Sequence, residues 1–260
     1  MIPVTETFLF SLLTGTFVGL ATGYIGSLMV LKKMALVGDA LSHVALPGLA
    51  LGLLFNFDPF LGAFAFLFLA AVVTWHLERN SKLSAETIVG VLFVLALAVG
   101  ILITPEPELL EALFGDITKV GLIDTVLTAV ISILAIFTTK IIYKKIILGI
   151  ISEELAISSG IKVSRINLLY LLLVALVVAV GIKSIGTLLV GVLVIIPAAS
   201  AKNISSNLFR YSLLSSLFGV ISSFFGVLLS SYVELPAGPL VVLFGTSIFV
   251  ISLFVNKILS

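Results

Sequence analysis

Asp39 and His43 stand four residues apart in the run Lys32-Lys33-Met34-Ala35-Leu36-Val37-Gly38-Asp39-Ala40-Leu41-Ser42-His43-Val44-Ala45-Leu46-Pro47-Gly48. On a helix that spacing brings both side chains to one face, with Cβ atoms about 5–6 Å apart. A carboxylate oxygen beside an imidazole nitrogen is half of a site for a first-row divalent cation. The same pair can serve as a proton relay, or as a hydrogen bond that joins two helices. Spacing alone leaves all three open. Gly38 and Gly48 thin the segment around the pair. Pro47 lacks the N–H that would have bonded to the carbonyl of His43, so that carbonyl is free to mark a kink or to offer a further oxygen ligand.

The elements that must position this pair are membrane spans. The chain has 260 residues, of which 60% are hydrophobic and 10% charged, and its mean hydropathy is +1.34. Soluble domains carry about 25% charged residues, so the bilayer is the solvent that suits this composition. An aspartate in such a helix is unfavourable by about 2.5–3.5 kcal/mol on insertion scales, and normally faces the bundle interior. Apolar stretches of membrane-spanning length are read at Phe8–Val30, Ala35–Phe55, Pro59–Leu77, Ala85–Thr104, Ile123–Tyr143, Ile166–Ile182, Thr187–Ala201, Tyr211–Ser230 and Gly238–Val255. The Thr187–Ala201 stretch is short enough to be tilted, re-entrant or merged with a neighbour, so eight to ten spans are expected. The expected fold is an all-α polytopic bundle, with residues 1–260 as one transmembrane domain. Met1 to Glu6 lacks the basic start of a signal peptide, so the first stretch reads as a true span.

Basic residues orient the bundle. With the N-terminus outside, the inner face receives Lys32, Lys33, Arg79, Lys82, Lys140, Lys144, Lys145, Lys162, Arg165, Lys202, Arg210 and Lys257, while the outer face receives only Lys119 and Lys183. That asymmetry is what the positive-inside rule expects. The C-terminus is then cytoplasmic. The outer loops carry Asp58, Glu106, Glu108, Glu111 and Glu234. They read either as ordinary solvated loops or as a mild cation-concentrating funnel. Lys183 is expected to snorkel toward headgroups, and Trp75 with His76 to mark the inner interface.

Several chemistries are excluded. The chain has no cysteine, hence no disulfide, thiolate ligand or cysteine nucleophile. A net charge of +1 gives no footprint for nucleic acid. No G-x-x-x-x-G-K-[ST] loop occurs, so nucleotide chemistry by that device needs a partner chain. On the inner side, Ser152 can cap a short helix whose first turn holds Glu153 and Glu154. Gly160 can end it in a left-handed conformation.

The run Gly38-Asp39-Ala40-Leu41-Ser42-His43 with Leu46-Pro47-Gly48 resembles the signature of zinc/manganese-type ABC transporter permeases. Further runs resemble that family in order: Ile88-Val89-Gly90-Val91-Leu92-Phe93, Leu113-Phe114-Gly115-Asp116-Ile117, Ser152-Glu153-Glu154-Leu155-Ala156 with Gly160-Ile161, Gly186-Thr187-Leu188-Leu189-Val190 through Ile196-Pro197-Ala198-Ala199-Ser200-Ala201, and Leu235-Pro236-Ala237-Gly238-Pro239. Together they span nearly the whole chain. Departures are small: Glu86 stands where the family often has aspartate, and Val44-Ala45 varies the residues after the histidine.

The resemblance implies the membrane subunit of an ATP-driven zinc or manganese importer that works by alternating access. It assigns metal passage to Asp39 and His43. It makes Ser152, Glu153, Glu154, Leu155, Ala156 and Gly160 a coupling helix, at about 152–160, that docks an ATPase. It also implies a pair of permeases (two copies, or this chain with a close paralogue), two cytoplasmic ATPase subunits, an extracellular solute-binding protein, surrounding lipid, no permanently bound cofactor and no catalysis by the chain itself. The rival readings are a proton-coupled secondary metal transporter acting without an ATPase, a membrane scaffold, and a siderophore or vitamin permease, which would not need the Asp–His pair.

Overall fold

The structure is a computed structural model that describes residues 6–103, 120–233 and 235–259. Its helices are α1 (Glu6–Leu31), α2 (Val37–Val44), α3 (Leu46–Leu54), α4 (Pro59–Asn80), α5 (Ala85–Ile103), α6 (Leu122–Ile151), α7 (Glu153–Ser158), α8 (Val163–Ile185), α9 (Thr187–Ile204), α10 (Leu208–Val233) and α11 (Ala237–Leu259). Among the described residues there is no strand. Eight segments are long and apolar enough to cross a membrane, α2 and α3 counting together as Val37–Leu54. The stretch expected to be short is α9, whose apolar part, Val190–Ile204, is shorter than the other eight. All-helical spans follow from the solvent: in hydrocarbon, each backbone N–H and C=O must be satisfied within its own segment.

Small residues set the crossings. A methyl group on Gly19 of α1 would overlap the carbonyl of Gly219 on α10, so the two backbones touch there. Nearby, the Ser215 hydroxyl of α10 donates to the carbonyl oxygen of Gly23. Lipid tails are as apolar as leucine, so close backbone packing and buried hydrogen bonds hold such a pair where the hydrophobic effect cannot. The larger core packs Ile25 and Leu28 of α1, Leu41 of α2, Leu67 of α4, Tyr170 of α8 and Val194 of α9, all buried. The Tyr170 hydroxyl donates to the Ile25 carbonyl oxygen at 2.8 Å, which satisfies the phenol inside the bundle.

The chain turns between α8 and α9 at Gly186 alone, with φ 87° and ψ 166°, a region essentially reserved for glycine. This turn sends α9 straight back along the bundle, against α1, α2, α10 and α11. Near the same end Lys183 Nζ lies 2.6 Å from Asp124 Oδ1 and over the ring of Phe60 at 5.4 Å. Lys183 is therefore held by α6 rather than extended to headgroups. Asp124 is the more buried partner, and an accessible ammonium on the adjacent helix meets its charge at less cost than reaching for water.

At the opposite end the chain gathers Lys32, Lys33, Lys145 and the start of α5 around one cavity. The residues Glu106, Glu108, Glu111, Lys119 and Glu234, and the run Leu113 to Ile117, lie outside the described residues.

Candidate metal-passage site and coupling face

Asp39 and His43 both lie on α2, one helical turn apart as their spacing expects. The Val37–Leu54 segment is interrupted between them and Pro47. Helix α2 ends at Val44, Ala45 stands between, and Pro47 enters the first turn of α3, where its missing N–H is tolerated. The break leaves α2 a short helix of 8 residues whose pose is set by neighbours.

Helices α9 and α5 supply most of that support. A Cβ on Gly191 would overlap the Cα, Cβ and Oδ1 of Asp39, so the carboxylate lies directly against the α9 backbone. Gly38 faces Val194 one turn further along. Ser42 Oγ is 2.7 Å from the carbonyl oxygen of Asp39 and 2.6 Å from that of Thr187, so its single proton is shared across the α2–α9 seam. On the other side, the His43 ring meets Phe93 of α5 edge to face, with centroids 5.3 Å apart.

His43 is 8% exposed, and its Nδ1 has no hydrogen-bond partner among the described residues. A buried ring nitrogen without a partner carries a desolvation cost of about 1–3 kcal/mol. A transient cation is one partner that relieves it. Among the described residues no group of three or more His, Cys, Asp or Glu could hold a metal ion. The described chain therefore offers a carboxylate and an imidazole here, fewer donors than a tetrahedral or octahedral ion takes.

Sequence reasoning reached Asp39 and His43 but not Ser42, Thr187, Gly191 or Phe93. A lone glycine in a leucine-rich helix signals a close approach, yet it does not name what approaches.

The second region is the short helix α7. Ser152 caps it by accepting from the Leu155 N–H at 3.2 Å, and Glu153 and Glu154 occupy the first turn. The Ile161 N–H returns to the Ala156 carbonyl at 3.0 Å, with Gly160 at φ 78°. Ala156 is 0% exposed, whereas Leu155 is 52% and Ile157 58% exposed. Ala156 thus seats the helix on its own bundle, and its neighbours face away.

Behind α7 lies a cavity of about 490 Å³ whose lining includes Lys32, Glu78, Glu86, Lys145, Glu153 and Asn167. Lys32, at the end of α1, donates to Asn167 Oδ1 at 2.7 Å and lies 5.5 Å over the Tyr170 ring. Burial pushes its ammonium below the usual lysine range, against the opposing pull of Glu78 and Glu153.

Comparison with known proteins agrees with this architecture. The profile of the ABC 3 transport family matches residues 5–256. The manganese import system permease protein ScaB of Streptococcus gordonii is 32% identical, over 94% of this chain and 90% of its own length. The high-affinity zinc uptake system membrane protein ZnuB of Haemophilus influenzae is 31% identical, over 94% of this chain and 95% of its own length. Among solved structures, PsaBC from Streptococcus pneumoniae, in complex with Fab, superposes with a TM-score of 0.84 at 31% identity, covering 96% of this chain and 92% of that one. An inward-facing metal-chelate type ABC transporter shares the fold at a TM-score of 0.80 and 20% identity. A helical bundle with eight long apolar segments, matched along almost its whole length, is a multi-pass membrane protein, and the chain belongs to the ABC 3 transport family.

Proposed function

We propose that this chain is the permease subunit of an ATP-driven importer for zinc or manganese. The observation that carries the reading is Asp39 and His43 on one turn of α2, with Asp39 against Gly191 of α9 and His43 buried beside Phe93 of α5. Similarity to manganese and zinc permeases supports the same cargo. The carboxylate supplies charge in a low-dielectric path, and the imidazole supplies a nitrogen ligand that suits both ions. Two permease chains, alike or paralogous, place two such half-sites around a shared path and complete the coordination. An extracellular solute-binding protein delivers the ion.

Hydrolysis belongs to two cytoplasmic ATPase subunits. The segment Ser152, Glu153, Glu154, Leu155, Ala156 and Gly160 forms the coupling element, with the exposed Leu155 and Ile157 as its docking surface. A short helix that lays apolar side chains into a groove is a common recognition mode. Movement of α7 reaches the bundle through α6 and α8, against which it packs, and α2 and α9 then open alternately to each side. The N-terminus is outside and the C-terminus cytoplasmic.

The test is uptake of radioactive zinc or manganese into proteoliposomes that hold the permease with its ATPase. Uptake is expected only with ATP on the ATPase side. Uptake driven by a proton gradient without ATP would replace this reading with a secondary transporter.

A further inference from the structure

A second cavity, of about 660 Å³, opens between α4 and α8 and is lined by Trp75, Arg79, Lys162, Ser164, Arg165 and Leu168. Three of these six side chains are cations. Arg79 comes from the last turn of α4, Lys162 immediately precedes α8, and Arg165 lies in its first turn. All three are exposed. Among the described residues none has a carboxylate in ion-pair contact. The back wall is rigid: the Trp75 indole N–H is 2.9 Å from both the carbonyl oxygen and the hydroxyl of Ser164. That bond fixes the indole plane against α8 and locks the two helix ends together.

The cavity is graded along the bundle axis. Arg79 lies beside the end of α4, whereas Trp75 lies four residues deeper, about 6 Å at the helical rise. On α8, Lys162 and Arg165 precede Leu168, which begins the apolar run. Charge therefore gathers at the rim, with indole and leucine below it. On the same helix faces Val72 and Leu169 are exposed, so the apolar part continues onto a hydrocarbon-facing surface. An acidic protein surface would satisfy the cations but leave the indole and leucine half unmatched. A molecule with a phosphate ester at one end and acyl chains at the other matches both.

The cavity wall itself is almost wholly apolar, so we propose that its cationic rim binds the phosphate headgroup of an anionic phospholipid in the leaflet on the Lys-rich side, with an acyl chain inside against Trp75 and Leu168. Basic pockets between helices at that leaflet suit such headgroups, and each cation near the surface contributes about five-fold in affinity. A bound lipid bridges the end of α4 and the start of α8, next to the Gly160 turn that leads out of α7.

The permease is purified in mild detergent after reconstitution with phosphatidylglycerol and phosphatidylcholine, and retained lipids are counted by native mass spectrometry. Phosphatidylglycerol is expected to be retained over phosphatidylcholine. R165Q is expected to weaken retention about five-fold, and R79Q/K162Q/R165Q about a hundred-fold. R79K/R165K keeps the charge and is expected to retain the lipid, which separates lost charge from lost fold. Should the triple variant fail to fold by circular dichroism, the single variants R79Q, K162Q and R165Q decide. Equal retention of phosphatidylcholine, or of phosphatidylglycerol by the charge-neutral variants, would overturn the proposal. So would displacement of the lipid by millimolar inorganic phosphate, which marks a free-anion site. Loss of ATPase or of permease pairing in the variants with lipid retention unchanged would assign the cations to a protein contact instead.

Discussion

Gly191 of α9 and Asp39 of α2 are in direct contact, and the absence of a side chain on the first is what lets the carboxylate of the second lie where it does. Gly191→Ala is expected to push Asp39 off the α9 backbone. A displacement of about 1 Å at a working group can cost about a hundred-fold in rate, so metal uptake in proteoliposomes should fall by that order. Gly90→Ala is the control, because a Cβ there meets nothing within 4 Å. Equal uptake by Gly191→Ala and the control would separate the contact from transport.

Asp39→Asn and His43→Ala should each abolish uptake while the bundle stays folded. Asparagine keeps the shape and hydrogen bonding of the aspartate but loses the charge. Alanine removes the imidazole from α2 and favours the helix. If the pair were only structural, breaking it would cost about 3–5 kcal/mol. Thermal unfolding in detergent would reveal that loss, and uptake at wild-type rate by either variant would remove the pair from the mechanism.

Within α7, neighbouring residues should behave oppositely. Leu155→Glu with Ile157→Glu changes exposed side chains. It should reduce co-purification of the ATPase while moving stability by no more than about 0.5 kcal/mol. Ala156→Leu overfills a fully buried position and should cost about 1–3 kcal/mol. Full ATPase capture by the first variant would place the docking surface elsewhere.

Orientation is open to thiol labelling, since the chain has no native cysteine. A membrane-impermeant maleimide applied to intact cells should label Glu108→Cys and spare Ser158→Cys. The reverse pattern would invert the topology.

The buried Lys32 gives a pH signature. Its folded-state pKa is lowered, so between that value and the unfolded value, about 10.4, the unfolded chain binds more protons. Stability from this residue therefore rises with pH through that window and is lowest below it. Lys32→Met should remove this increment, so the melting-temperature difference between wild type and variant should shift in favour of wild type as pH climbs. A difference that stays flat with pH would show that Lys32 is not desolvated.

The sequence by itself determined the solvent, the long spans and the placement of Asp39 and His43 on one helical turn. Hydrophobic length reports the bilayer directly, and a spacing of four on a helix places Asp39 and His43 together without reference to the rest of the fold. Ser152 and Gly160 likewise announced the ends of α7 through local backbone chemistry. Tertiary structure alone decided what those groups touch. Gly191 lies 152 positions after Asp39, and no periodicity links them. Lys183 has the same local signal whether it reaches for headgroups or for Asp124. Ala156 and Leu155 are adjacent in a helix of 6 residues, too short for its inward face to be read from pattern. Apolar residues surround every span in a membrane protein, so they no longer distinguish lipid-facing from core-facing sides. Only the packing of one helix on another, set by small residues at the crossings, makes that choice.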